Sequence, residues 1–330
     1  MKAFVNVNPR TLTEAIDALR RARQDGARAV VTGGGSDLLG MIKDRLVQPD
    51  VLVNLKGVAG LDDVRAEADG IHIGGLVTLQ TLAEHPLLER SYPVLSQAAG
   101  SVGTPQIRNV GTLAGNICQR PWCWYLRNDF PCFKNGGSTC FARDGENQFH
   151  AIFGNGPSYI VHPSDTAPAL VAIGARIQIL GPGGARVVPA HEFFVWPTED
   201  PARENVLRED EMVTGVVLPA PDPAVRSMYT KLLDRESWTH ALASVAITLE
   251  MRGAVCRRAR IVLGGVAPIP LDRPGAARVL EGQPITLGTA AAAANAAMEG
   301  ARPLAKNGYK VTLTGNMVRR ALLTLAEKGA

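Results

Sequence analysis

Four of the five cysteines in this chain fall in one short stretch, and thiols are its most reactive side chains. Cys118, Cys123, Cys132 and Cys140 read C-x4-C-x8-C-x7-C, while Cys256 stands apart. Thiolates repel one another and free thiols oxidise, so such a gathering calls for a bond or a metal. Disulfide frameworks belong mainly to small secreted domains, whereas 330 residues can build a core without them. Structural zinc usually takes tight C-x2-C knuckles, which this stretch lacks. Wide, uneven gaps suit an iron–sulfur cube, whose corners accept ligands from a loop wrapped around it. On spacing alone a cluster, a zinc site and plain buried or free thiols all stay open.

Two glycine-rich stretches could bind phosphate. Gly33-Gly34-Gly35-Ser36 sits between an apolar run and a helical one. Backbone N–H groups there can point into one concavity, with the helix macrodipole adding to the attraction. The stretch is neither G-x-G-x-x-G nor a Walker loop, and a tight turn without a ligand would use the same glycines. The second stretch runs from Thr104 through Asn109 to Asn116, with Gly111-Thr112 and Gly115-Asn116 offering amide and hydroxyl donors. Two such loops from successive lobes can clasp a diphosphate between them, the expected place for a cofactor cleft. Of the six histidines, His150 and His162 lie nearest these stretches, and both read as polar filler. There is no Ser-His-Asp arrangement, and Asp62-Asp63 and Glu209-Asp210-Glu211 read as solvated loop charges.

The elements that must position these groups follow from pattern. Phe4–Asn6 reads as a strand, Thr11 to Glu14 as a capping box, and Ala15, Leu19 and Ala22 as a helix face. A buried strand Ala29–Thr32, a helix Leu38–Leu46 and a strand Val51–Val53 complete a β-α-β-α-β lobe over residues 1–56. A second lobe, residues 57–221, opens with a strand at Ile71–Gly74, a helix Leu79–Leu88 capped by Thr78, and a helix Pro93–Gly100. After the cysteines come a strand Tyr159–Val161, a helix Thr166–Ile173 capped by Ser164-Asp165, and a hairpin over Ala175–Val188. Leu218 to Pro223 is a proline-rich boundary. Strands at Ser227–Leu233, Ala243–Met251 and Arg258–Gly264, then helices near 275–281, 287–300 and 316–328, read as a separate α+β domain over 222–330.

Bulk composition excludes several classes. Lys plus Arg number 35 against 31 Asp plus Glu, and the densest basic run, Arg257, Arg258 and Arg260, is too short to imply nucleic acid. No apolar run reaches the ~20 residues of a membrane span. The first residues hold neither an apolar signal core nor a twin-arginine motif. The expectation is a cytoplasmic chain, or one carried to the periplasm by a partner that bears a Tat signal.

VVTGGGSDLL followed by Met41-Ile42-Lys43, then RNVGTLAGNI, then HPSDTAPAL resemble the FAD-binding medium subunit of molybdenum hydroxylases, a family that includes carbon monoxide dehydrogenase and xanthine dehydrogenase. The resemblance covers nearly the whole chain. It implies an α+β fold: a two-lobed FAD-binding domain of the vanillyl-alcohol-oxidase-like type, then a smaller α+β domain of the carbon monoxide dehydrogenase flavoprotein type. It implies that Val31, Thr32, Gly33, Gly34, Gly35, Ser36, Asp37 and Leu38, with Thr104, Asn109, Gly111, Thr112, Gly115, Asn116 and Ile117, bind the FAD diphosphate. Ser164 and Asp165 would lie near the ribityl or ribose hydroxyls. Lys231 and Arg235 in KLLDRESWTHALASVA would face the flavin, where a cation stabilises the reduced anion; a surface salt bridge is the plainer use.

Within that family, the flavin subunits of 4-hydroxybenzoyl-CoA reductase and of some bacterial aldehyde oxidoreductases carry a [4Fe–4S] cluster inserted after the second glycine loop. The segment 117–150 stands in that place, so the resemblance makes Cys118, Cys123, Cys132 and Cys140 cluster ligands, shielded by Trp122, Trp124, Tyr125, Phe130, Phe133 and Phe141. It implies a heterotrimer with a large molybdopterin-binding subunit that oxidises substrate and a small subunit with two [2Fe–2S] clusters. The chain described here would pass electrons through FAD to an external acceptor. An aldehyde oxidoreductase is the favoured member, with 4-hydroxybenzoyl-CoA reductase and xanthine dehydrogenase behind it. A zinc-stapled nucleotide-binding protein and a self-contained flavin oxidase are the alternatives of other classes.

Overall fold

The computed structural model describes residues 1–235 and 239–327. The Glu236–Trp238 part of the stretch quoted above, and Lys328 at the expected end of the last helix, lie outside them. Among the described residues, three sheets organise the fold.

The first is parallel. Strands β1 (Val5–Val7), β2 (Ala29–Thr32) and β3 (Val51–Asn54) run in the order β1-β3-β2. Helix Leu12–Gln24 covers it, burying Ala15, Leu19 and Ala22 at helical spacing. Thr11 caps this helix through the N–H of Glu14, but the Glu14 carboxylate takes the N–H of Arg10, so only half of the expected box forms. Strand β2 is half-buried rather than buried. The next helix spans Leu38–Lys43 and stops short of Leu46, because Arg45 enters the left-handed region at φ 63°.

The second sheet holds β4 (Val64–Glu67), β5 (Gly70–Gly74), β6 (Arg176–Gly181), β7 (Gly184–Pro189) and β8 (Met212–Leu218), antiparallel in the order β4-β5-β8-β6-β7. Strand β8 comes last in sequence yet pairs with both β5 and β6 at the centre. Everything between β5 and β6, including the second glycine loop and the cysteines, is therefore one excursion that leaves and rejoins a single sheet. The expected helix 79–88 divides into Leu79–Glu84 and Pro86–Ser91, since the residue before a proline disfavours the helical region and His85 is extended. Helices Pro93–Gly100 and Thr166–Ile173 have the expected bounds. Tyr159–Val161 is not a strand; the N–H of Ala151 bonds the Tyr159 carbonyl at 2.9 Å outside any sheet.

The third sheet is antiparallel, β12-β11-β10-β9, from β9 (Val225–Leu232), β10 (Ala243–Arg252), β11 (Val255–Gly264) and β12 (Leu271–Asp272). It is buried on both faces. Ala246 and Val262 join the core of the FAD-type domain, while Val245, Ile247, Ile261 and Leu263 join the core under helices Pro274–Leu280, Leu287–Met298 and Tyr309–Glu327. The last helix begins at Tyr309 rather than 316, and among the described residues no helix is long and apolar enough to cross a membrane.

Candidate functional site

The two glycine loops meet backbone to backbone. A Cβ on Gly34 would stand 1.8 Å from the Val110 carbonyl oxygen, and one on Gly33 would stand 2.9 Å from Thr112 Oγ1. Gly35 takes φ +76°, a left-handed conformation open to glycine. The glycines thus have a structural task, the close approach of two loops, beside any phosphate they cradle. Val31 and Thr32 end β2 and Leu38 opens a helix of only six residues, whose macrodipole is correspondingly short. Asp37 does not cap that helix; it accepts from Arg127 Nη2 at 2.9 Å.

Across the junction, Thr104 caps helix Pro105–Arg108, Asn109 ends it, and Thr112 caps helix Leu113–Ile117 through the Gly115 N–H. Ile117 is wholly buried in the core of the FAD-type domain. Asn116 is occupied as well: its Oδ1 accepts from Ser164 Oγ and Thr166 Oγ1, each at 2.6 Å. Ser164, not Asp165, caps the following helix, accepting from the Ala167 N–H at 3.0 Å. Asp165 is left for other partners. Lys231 Nζ donates to its Oδ2 at 2.6 Å and Tyr229 Oη to its Oδ1 at 2.7 Å.

This pair corrects the plainer reading of Lys231. Its side chain is 4% exposed and that of Asp165 6%, so the ion pair is buried rather than superficial. Lys231 also donates to the Ser101 carbonyl. Tyr229, missed in the sequence, shares a face of β9 with Lys231, two residues apart, and that period was the signal for it. Burial, then the Asp165 charge, holds its hydroxyl well above the usual phenol range.

Ser36, Asp37, Ser164, Asp165, Lys231 and Arg235 line one cleft of about 370 Å³. The cleft runs on to Trp122, Cys123 and His150, so the glycine loops and the cysteine segment open on the same space. Trp122 tilts against His240 with ring centroids 5.1 Å apart and carries the Arg127 guanidinium 4.2 Å above its face. His162, at the cleft wall, is pushed down to about 3, first by burial and then by the charge of Lys134; its Nδ1 accepts the Ser164 N–H.

Among the described residues, no three of the four predicted thiols gather within 4.8 Å of one another. Burial pushes Cys123 up to about 11, and charge at Cys140 and Cys132 adds to that, which places these three within electrostatic reach. Cys118 is pushed up to about 12 by burial alone and packs against the core of the FAD-type domain. Cys123 Sγ lies 3.2 Å from His150 Nε2, and Cys140 Sγ accepts the Tyr159 N–H at 3.5 Å. Thiolates around tetrahedral zinc stand roughly 3.8 Å apart, given Zn–S bonds near ~2.3 Å. Among the described residues, the one group of three or more candidate ligands gathered within 4.8 Å is Glu67, Asp69 and the half-buried His72, so the cysteines are not arranged as zinc would hold them. Tyr125, Phe130 and Phe141 wall the segment, with centroids 5.1 to 6.0 Å apart.

Comparison with known proteins agrees with this architecture. Residues 2–221 match the FAD binding domain in molybdopterin dehydrogenase, and residues 228–325 match the CO dehydrogenase flavoprotein C-terminal domain. The chain is 34% identical to the aldehyde oxidoreductase FAD-binding subunit PaoB of Escherichia coli (strain K12), over 95% of each chain. It is 29% identical to the carbon monoxide dehydrogenase medium chain of Hydrogenophaga pseudoflava, over 95% of this chain and 94% of that one. The solved carbon monoxide dehydrogenase from Hydrogenophaga pseudoflava superposes with a TM-score of 0.78 at 26% identity, covering 99% of this chain and 98% of that one. The chain belongs to the family of FAD-binding medium subunits of molybdenum hydroxylases.

Proposed function

We propose that this family member is the FAD- and [4Fe–4S]-carrying electron-transfer subunit of a heterotrimeric aldehyde oxidoreductase. The observation that carries the FAD part is the junction of the loops, where Gly34 and Gly33 let Val110 and Thr112 come close beside a cleft containing Asp165 and Lys231. Bound there, FAD supplies two-electron acceptance and one-electron release. The chain's residues do the binding and orienting. N–H groups of Gly33 to Ser36 would hold the diphosphate, those of Gly111, Leu113, Ala114 and Gly115 being taken within the fold, and Asp165, oriented by Tyr229 and Lys231, would accept from ligand hydroxyls. Lys231 and Arg235 both line this cleft, where a cation would stabilise the reduced flavin anion.

The cysteine segment fits a cube by its chemistry, with soft thiol donors, N–H to sulfur bonding at Cys140 and aromatic neighbours, although Trp122 and Phe130, expected to shield it, are 48% and 40% exposed. Its opening on the flavin cleft supports a place close to FAD. The aldehyde assignment rests on the 34% identity to the E. coli subunit over nearly the full chain. Electrons would come from a small [2Fe–2S] subunit, substrate oxidation would belong to a large molybdopterin-binding subunit, and an external acceptor would take the electrons from FAD.

The test is the iron-to-flavin ratio of the chain purified anaerobically. One FAD with about four irons is the expected result. Flavin without iron removes the cluster from the proposal, and a folded chain without flavin removes all of it.

A further inference from the structure

Cys123 stands at the head of helix Trp124–Arg127 and lines the cleft together with His150, 27 residues further on. The two side chains meet, with His150 Nε2 and Cys123 Sγ 3.2 Å apart and hydrogen-bonded. His150 is 4% exposed, and its Nδ1 is buried without a hydrogen-bond partner. Together these facts choose the tautomer. A proton on Nδ1 would be a buried donor with nothing to receive it, whereas a proton on Nε2 faces sulfur. A deprotonated Cys123, as any metal-bound cysteine is, can only accept, so the hydrogen must then come from the imidazole.

The ring has little freedom to turn away. Trp124 meets it edge-on with centroids 5.7 Å apart, and Tyr125 lies against it at 6.1 Å. Its backbone is pinned from outside the cysteine segment, by the C-terminal domain. Asn307 Nδ2 donates to the carbonyls of His150 and Ala151 at 3.1 and 3.2 Å. Lys310 Nζ donates to the Phe149 carbonyl and Tyr309 Oη to that of Gln148, both at 2.9 Å. Asn307 and Lys310 are themselves wholly buried, so these bonds are shielded from water.

We infer that His150 is a positioning residue of the cluster site: its Nε2–H donates to Cys123 Sγ, orients that sulfur and raises the reduction potential of the cluster the sulfur would bind. The inference rests on the cluster reading above and leaves its four thiol donors as they are. An N–H aimed at a ligand sulfur stabilises the more negative, reduced state more than the oxidised one, so hydrogen bonds to the sulfurs tune such potentials. The Tyr159 N–H on Cys140 Sγ, at 3.5 Å, is a donor of the same kind but comes from the backbone. His150 is the donor that a side-chain substitution can remove.

The experiment uses the full chain, purified anaerobically, unmodified and as His150→Gln and His150→Leu. Glutamine can place an amide N–H near the Nε2 position, whereas leucine fills space and donates nothing. Iron per FAD and the reduction potential of the iron centre are measured, with nitrogen coupling to isotopically labelled histidine by pulsed EPR after reduction. Expected are about four irons per flavin in each protein and a weak histidine coupling in the unmodified chain that is absent from both variants. The reduction equilibrium of His150→Leu should be about tenfold less favourable, ~59 mV lower for one electron, and His150→Gln should recover most of that. Flavin retained in both variants shows that they are folded. An unchanged potential in His150→Leu overturns the inference, as does an equal fall in both variants, which would make packing the cause. Where His150→Leu holds no iron, the coupling decides: its loss in His150→Gln supports the hydrogen bond, and its absence from the unmodified chain refutes it. Unmodified protein with flavin but no iron overturns the cluster reading, and this inference falls with it.

Discussion

Replacing Gly34 by alanine tests whether the contact between the loops is what holds FAD. The added Cβ would stand 1.8 Å from the Val110 carbonyl oxygen, whereas ordinary contact begins near 3.4 Å, so the loops must part by about 1.6 Å. The obstacle is backbone and cannot rotate away. Overpacking of this kind costs ~1–3 kcal/mol. In the free protein the loops relieve it by separating, and FAD must then draw them together again. The cost therefore reappears as affinity, a loss of about 5- to 150-fold. Gly40→Ala is the control, since nothing lies within 4 Å of its Cβ position inside helix Leu38–Lys43. Alanine there should be neutral or stabilise by up to ~1 kcal/mol. Flavin fluorescence titration reads the affinity, and chemical denaturation the stability. Gly34→Ala binding FAD as tightly as the unmodified chain would refute the reasoning.

Other perturbations have equally definite outcomes. Asp165→Asn leaves the buried Lys231 ammonium unpaired and should cost ~3–5 kcal/mol in denaturant unfolding, with much of it recovered when Lys231→Met is added. With the proposed cluster, Cys132→Ser should abolish bound iron while flavin per chain stays unchanged, because the glycine loops are separate in sequence from that cysteine; joint loss on metal and flavin analysis would show the two sites to be one. His162 is depressed to about 3 in the fold from 6.5, so the unfolded chain binds the extra proton between those values. Stability should therefore fall as pH drops from about 6.5 toward 3, and His162→Gln should flatten that part of the melting-temperature profile.

Much of the architecture was legible because it is local. Helix Thr166–Ile173 and strand β2 follow from apolar period and flanking caps, and both occupy the expected residues. Where local signals compete, the reading failed: Pro86 divides a continuous apolar pattern, and Tyr159–Val161 has strand composition without a strand to pair with. Ser164 and Asp165 show the same limit. Both are good capping residues by type, and the backbone lets Ser164 take the cap, which frees the Asp165 carboxylate for Tyr229 and Lys231.

The sequence by itself determined which groups could approach a dinucleotide and where the thiols gather, because glycine, hydroxyl and thiol chemistry travels with residue type. It also determined the family, since whole motifs persist in order along the chain. Tertiary structure alone decided which of those groups meet. Gly34 approaches Val110, Asp165 finds Lys231 across 66 residues, and His150 reaches Cys123 across 27. Such contacts depend on packing between separate elements, and no local spacing rule records which face of one will be buried against the other.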